Sequence, residues 1–129
     1  MIVDATVLVA ATVDAGPDGV WAESIIAEGS LIAPELALVE ATNILRRLEL
    51  AGTLTSLEST SAQRDLLRLG IELFPFEPVA ERVWALRQNV TSYDALYVAI
   101  AEALDLPLAT LDHRLARAPG PQCRFVLPG

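Results

Sequence analysis

Ile2-Val3-Asp4-Ala5-Thr6-Val7-Leu8-Val9-Ala10-Ala11 is the stretch on which the fold turns. Ile2-Val3 is a short apolar run that ends at a carboxylate. Val7 to Ala11 continues apolar, either as more strand or as a short buried helix. Outward from there, Gly16-Pro17-Asp18-Gly19 is a turn cluster, and Val20 to Glu28 reads as a helix stopped by Gly29. Leu31-Ile32-Ala33 is too short for anything but a buried strand. Pro34 fits the first turn of the next helix, where its missing N–H costs nothing. That helix runs to about Ala51, with Gly52 as its stop. Ser56 to Leu69 is a third helix, Ile71 to Phe74 a strand, and Val79 to Gln88 a helix with Ala80, Val83, Trp84 and Leu86 on one side. Ser92 to Leu104 is nearly all apolar, so that helix is buried on most sides. Leu108 to Leu111 is a strand, a short helix follows through Ala118, and Arg124 to Leu127 closes the chain as a strand. Strands alternating with helices predict an α/β fold, a mostly parallel sheet between helical layers.

Composition narrows the function. A chain of 129 residues suits one domain, 1–129, with a core that needs no disulfide or structural metal. Hydrophobic residues are 53% of it and charged residues 20%, too apolar for disorder. All nine basic residues are arginine, so Schiff-base lysines and Walker-type phosphate loops are excluded. The net charge of −8 argues against broad phosphate-backbone binding. Cys123 is the one cysteine, which excludes an internal disulfide and a cysteine-cluster metal site, and it reads as a small strand residue. The N-terminus has no basic region before its apolar run, and no run approaches the ~18 apolar residues of a membrane span. The chain reads as cytoplasmic.

Four carboxylates stand out. In a parallel α/β sheet, ligands bind beyond the carboxyl ends of the strands. Asp4 and Asp112 follow the first strand and the Leu108–Leu111 strand. Asp112 reads equally as the N-cap of the next helix, whereas Asp4 sits in an apolar setting where an unpaired charge is costly. Glu40 interrupts the helical ridge Leu36, Ile44, Leu48, and Asn43, a poor helix former, lies one turn on. Asp94 completes a Thr91-x-x-Asp94 capping pattern, yet it is the only charge between Arg87 and Glu102. If these acids converge, their repulsion raises some pKa values unless a cation neutralises them. All-oxygen ligation suits Mg²⁺ or Mn²⁺.

Taken in order, Ile2-Val3-Asp4-Ala5-Thr6-Val7-Leu8, Pro34-Glu35-Leu36-Ala37-Leu38-Val39-Glu40-Ala41-Thr42-Asn43, Ser92-Tyr93-Asp94-Ala95-Leu96-Tyr97-Val98-Ala99-Ile100-Ala101 and Leu108-Ala109-Thr110-Leu111-Asp112 resemble the PIN-domain ribonucleases. Within that family they resemble the VapC toxins of bacterial toxin–antitoxin pairs. The likeness covers nearly the whole chain. It implies a PIN-like three-layer sandwich and a Mg²⁺- or Mn²⁺-dependent endoribonuclease that hydrolyses RNA phosphodiesters. It also implies inhibition by a small cognate antitoxin, and homodimerisation. By the same resemblance Asp4, Glu40, Asp94 and Asp112 hold the metal and carry catalysis. Thr6, Asn43 and Thr110 match the family's polar residues that orient carboxylates or water.

Arg46, Arg47, Arg114 and Arg117 neighbour these acids and are candidates for RNA phosphate contact. Each also reads as part of a solvated helix face. His113 reads as a surface residue beside a cap. Trp21, Trp84, Tyr93 and Tyr97 read as core or interface residues rather than base-stacking platforms. Two enzymatic rivals fail on residues. Asp-based phosphotransferases want a second Asp where Thr6 stands, and they and receiver domains need a lysine. The remaining alternative is a catalytically inactive PIN-like binding or regulatory module.

Overall fold

The computed structural model describes all 129 residues. Five short strands, β1 (Ile2–Val3), β2 (Ile32–Pro34), β3 (Glu72–Phe74), β4 (Leu108–Ala109) and β5 (Phe125–Val126), form one sheet in the order β3-β2-β1-β4-β5. Every pairing is parallel: Ile2 lies opposite Ile32 on one side and Leu108 on the other. The chain therefore leaves β1 toward β2 and later returns to its other side as β4. The point where strand order reverses, at the carboxyl ends of β1 and β4, is where α/β sheets form their crevice.

Seven helices flank the sheet: α1 (Ala5–Val13), α2 (Pro17–Ala27), α3 (Leu36–Leu50), α4 (Ser56–Leu67), α5 (Ala80–Ala85), α6 (Ser92–Leu104) and α7 (His113–Arg117). The first four pack on one another, while α6 packs on α5 and on β1, β2 and β4. The core runs through β1, α1 and α6, with Ile2, Leu8, Tyr97, Ile100 and Leu108 fully buried. No helix is long and apolar enough to cross a membrane.

The local pattern is overruled in a few places. Val7 to Ala11 is helix, because Asp4 caps α1 directly after a two-residue strand. Gly16 to Gly19 is not a free turn. Pro17 takes the first position of α2, and a Cβ on Gly19 would lie 1.7 Å from the Asp14 carbonyl oxygen. Pro34 ends β2 instead of opening α3, since β2 needs it to pair with Phe74, and a proline is tolerated at a strand end where no ladder N–H is required. The Val79–Gln88 segment is a 3₁₀ turn (Glu77–Val79) followed by only Ala80–Ala85 of helix. Cys123 precedes β5 and lies in a loop. Of the aromatic residues, Tyr97 is core, whereas Tyr93 and Trp84 are exposed, the latter with Arg87 stacked 4.5 Å from its ring centre.

Candidate active site

Asp4 is only 6% exposed, yet its carboxylate is not orphaned. As N-cap of α1, its Oδ1 accepts from the Thr6 and Val7 N–H groups at 3.0 and 3.2 Å and from the Thr6 hydroxyl at 2.5 Å. Its Oδ2 accepts from the Thr110 hydroxyl, which comes from the end of β4. The two threonines also reach back: Thr110 Oγ1 accepts the Asp112 N–H at 2.9 Å, and Thr6 Oγ1 accepts the Leu111 N–H at 3.2 Å. Thr6 and Thr110 thus latch the β1–α1 junction to the β4–α7 junction, the two edges of the crevice. Burial pushes the Asp4 carboxyl above the ordinary carboxylate range, against the pull of these hydrogen bonds.

Asp112 repeats the device. It caps α7, its Oδ1 accepting from the N–H groups of Arg114 and Leu115 at 3.0 and 3.1 Å. Asp94 is half-buried in the first turn of α6, which Thr91 caps by accepting the Asp94 N–H at 3.2 Å. Its carboxyl is pushed up by burial first and then by the negative charge of Asp112, with the Thr91 hydroxyl opposing.

Glu40 arrives from the other side. The ridge Leu36, Glu40, Ile44, Leu48 is half-buried, and the row of α3 that enters the core is Ala37, Ala41, Leu45. What holds Glu40 is Tyr97, one turn beyond Asp94 on α6, whose hydroxyl donates to Glu40 Oε1 at 2.6 Å. Tyr97 is 2% exposed. Burial, the bond to Glu40, and the charges of Glu40, Asp4 and Asp94 all keep its hydroxyl protonated far above a tyrosine's ordinary value. One phenol thus senses three of the four acids, and the fourth, Asp112, is sensed by Asp94. The sequence reads Tyr97 as a core or interface residue. Its i+3 spacing from Asp94 was the available signal.

No arginine or histidine neutralises this group: the ion pairs of the chain are Arg68–Asp65 and Arg82–Glu102. Nor do three acid, histidine or cysteine side chains close into a preformed cage. The donor chemistry still fits a hard divalent cation. Asp4, Glu40 and Asp112 each have one oxygen fixed by the chain on several donors or on Tyr97, and a second oxygen with lone pairs to spare. Mg²⁺ in particular is held by one or two carboxylates and keeps several waters, so it needs no closed protein cage. Asp4, Glu40, Asp94 and Asp112 are the residues that could hold it. Cys123 is no rival nucleophile, because burial first and then the Glu102 charge push its thiol up to about 11.

The other sequence candidates divide. Arg114 lines a 260 Å³ cleft together with Asp94 and Asp112. Arg46 lines a separate polar groove with Thr42, Ser59 and Gln63 that none of the four acids borders. Arg47, Arg117, His113 and Asn43 are exposed. Asn43 lies one turn past Glu40 and makes no side-chain hydrogen bond to it.

Comparison with known proteins agrees with this fold. The family model described as "PIN domain" matches residues 1–121. Ribonuclease VapC1 of Mycobacterium tuberculosis is 39% identical over 127 residues, covering 98% of this chain and 96% of that one. Among solved structures, PAE2754 from Pyrobaculum aerophilum superposes with a TM-score of 0.73 at 22% identity, covering 96% of this chain and 81% of its own. VapBC2 from Rickettsia felis, bound to a DNA fragment from their promoter, has a TM-score of 0.64 at 15% identity over 98% and 96% of the two chains. The last two share the fold. Identity with VapC1 over nearly the full length of both chains, together with the family match, carries the assignment: the chain belongs to the PIN-domain family, among its VapC ribonucleases.

Proposed function

We propose that the chain is the toxin of a toxin–antitoxin pair, an endoribonuclease that hydrolyses RNA phosphodiesters with Mg²⁺ or Mn²⁺ held by Asp4, Glu40, Asp94 and Asp112. The observation that carries this reading is the gathering of Asp4, Glu40 and Asp94 around Tyr97, with Asp112 beside Asp94 and no side-chain cation paired to any of them. Such a charge cluster at the crevice of the sheet calls for a counter-ion. When bound, a divalent cation supplies water activation and charge neutralisation on the phosphodiester. The chain supplies orientation. Thr6 and Thr110 fix Asp4, the first-turn N–H groups of α7 fix Asp112, and Tyr97 fixes Glu40. Arg114 lines the same cleft as Asp94 and Asp112, and to it we assign contact with a substrate phosphate. A binding-only module would have no use for a carboxylate set held this tightly.

The antitoxin reading rests on family membership. A 400 Å³ apolar groove lined by Val9, Val13, Ile44, Leu48 and Leu54 ends at Thr6, beside Asp4, and is surface that an antitoxin segment would cover. For the homodimer, the apolar groove formed by Leu36, Val39, Phe74, Phe76 and Leu96 carries exposed Val39 (66%) and Phe76 (52%). A second copy of this chain is the occupant we assign to it.

The test is cleavage of RNA with Mg²⁺ or Mn²⁺ by the wild type, Asp4→Asn and Asp94→Asn. The expected result is cation-dependent cleavage, lost in both variants with circular dichroism unchanged. Undiminished cleavage by either variant overturns the site assignment. Absence of cleavage by the wild type returns the chain to the binding-module reading.

A further inference from the structure

Trp84 and Arg87 form a stack that no other part of the fold uses. The guanidinium carbon of Arg87 lies 4.5 Å from the centre of the indole, one turn on along the chain. Its Nη1 donates to the Trp84 carbonyl at 3.0 Å, so the arginine is held over one face of the ring by two contacts. With Trp84 65% exposed, the other face stands in solvent. The turn beneath is firm: Val83 and Leu86, each 3% exposed, anchor it in the core on either side of Trp84. Arg87 pairs with no acid, since the ion pairs of the chain are Arg68–Asp65 and Arg82–Glu102. Only one of the guanidinium nitrogens is committed to the chain.

The stack stands next to the cleft of Asp94 and Asp112. Helix α5 ends at Ala85, and past Arg87 the chain runs into Asn89, Val90 and Thr91, which line that cleft. Arg87 is separated from Asn89 by at most about 7 Å of chain. The acids of this stretch, Glu77 and Glu81, precede Trp84, so its positive end is the end that leads into the cleft. A flat ring backed by a cation suits a nucleobase, whose π-face stacks on it and whose phosphate takes the free guanidinium N–H groups. It suits a protein partner less. A tryptophan that anchors a protein sits inside a rim that excludes water, whereas Glu81, Ala85 and Gln88 around Trp84 are all exposed. Resting on the ribonuclease reading above, we infer that Trp84 and Arg87 are a stacking platform for one unpaired base of the RNA, a few nucleotides to one side of the cut. Every base has a π-face, so the platform selects single-stranded RNA without selecting a sequence. It binds and aligns the strand, and the chemistry stays with the four acids.

The experiment has two arms. In EDTA, where nothing is cut, oligoadenylate is titrated into a Trp21→Phe variant, in which Trp84 is the one indole. Saturable quenching of its emission is expected. Labelled oligoadenylate should bind Trp84→Ala about tenfold more weakly than wild type, the order of one stacked base, and Trp84→Phe nearly as well as wild type. Arg87→Ala should weaken binding and lower its salt slope by about one phosphate contact. In Mn²⁺, an RNA with one mapped cut is made with each flanking base removed in turn. Removal at one position should raise the wild-type KM about tenfold and cost nothing further in Trp84→Ala. Wild-type affinity in Trp84→Ala, equal quenching by an oligoadenylate–oligouridylate duplex, or cutting with no such position overturns the platform. So does a Trp84→Ala protein that keeps its RNA affinity and loses its dimer in sedimentation velocity, which gives this face to a second copy. A wild type that is quenched by oligoadenylate but cuts no RNA keeps the platform and fails the ribonuclease reading.

Discussion

Tyr97→Phe removes one oxygen and leaves the ring in its packing, which makes it the cleanest probe of how the acids are held. The lost bond is a charge-assisted one, from a 2% exposed phenol to the Glu40 carboxylate at 2.6 Å. Such bonds contribute roughly 1.5–3 kcal/mol, but half-buried Glu40 can regain a water. A stability loss of about 1 kcal/mol is expected, a fall of roughly 4 °C in Tm for a chain of this size. Function should suffer more. On the proposed function Glu40 is a cation ligand that would no longer be pinned, and loss of an outer partner of a ligand typically costs 10- to 100-fold in metal affinity or activity. The assay is a cycle of Tyr97→Phe, Glu40→Gln and the double variant, with RNA cleavage rates and Mn²⁺ titration calorimetry on each. If Tyr97 works through Glu40, its substitution adds nothing once Glu40 is Gln. Wild-type rates and Mn²⁺ affinity in Tyr97→Phe refute the reasoning, as does a full additive loss in the double variant.

Other consequences follow from the same contacts. Thr110→Val leaves the Asp4 Oδ2 and the buried side of the Asp112 N–H without their partner, so the urea midpoint should fall by the equivalent of about 2–3 kcal/mol, with most of it restored by Thr110→Ser. An unchanged midpoint would show that the latch between the β1 and β4 ends is not formed. At Glu102 burial alone would raise the carboxyl, but the Arg82 hydrogen bond, the Gln122 N–H and the Arg82 charge outweigh it and bring it below its ordinary 4.5. A lowered carboxyl contributes stability above its unfolded value and loses it as pH falls through the folded one. Arg82→Gln should therefore flatten the loss of Tm between about pH 4.5 and lower values, and an unaltered acid limb would contradict this. Phe76→Asp places a charge in the exposed apolar groove and should convert dimer to monomer in sedimentation velocity. A wild type that is monomeric at every concentration removes the dimer from the account.

The strand-end acids were legible because a carboxylate after Ile2-Val3 or after Leu108–Leu111 has few places to go in a parallel sheet. Their two readings, helix cap and metal ligand, looked like alternatives in the sequence. In the fold they are compatible, since Asp112 caps α7 with Oδ1 and leaves Oδ2 free, and Asp4 caps α1 while Thr110 takes only one lone pair of its Oδ2. Glu40 was visible as a break in an apolar ridge, although that ridge proved half-buried. The i+3 spacing puts Tyr97 on the face of α6 that carries Asp94, but nothing in that spacing says that this face meets Glu40 on α3. Contacts between elements distant in sequence, such as Tyr97 with Glu40 or Thr110 with Asp4, are fixed by sheet order. The errors at Pro34 and at Gly16 to Gly19 have a related cause: local turn chemistry was overruled by strand pairing with Phe74 and by the close approach of the Asp14 carbonyl.

On the proposed function, these acids are assembled for a cation at the expense of stability without one. Asp94 carries it most openly, being pushed up by burial and by Asp112. A carboxyl raised in the folded state favours folding when protonated, and that contribution is lost as pH rises through the folded value, so at neutral pH its charge opposes folding. Melting curves of wild type and Asp94→Asn at pH 7, in EDTA and in Mn²⁺, test this directly. In EDTA the variant should melt above the wild type, and Mn²⁺ should raise the wild type while leaving the variant nearly still. Equal responses of the two proteins to Mn²⁺, or a variant that melts below the wild type in EDTA, would contradict the account.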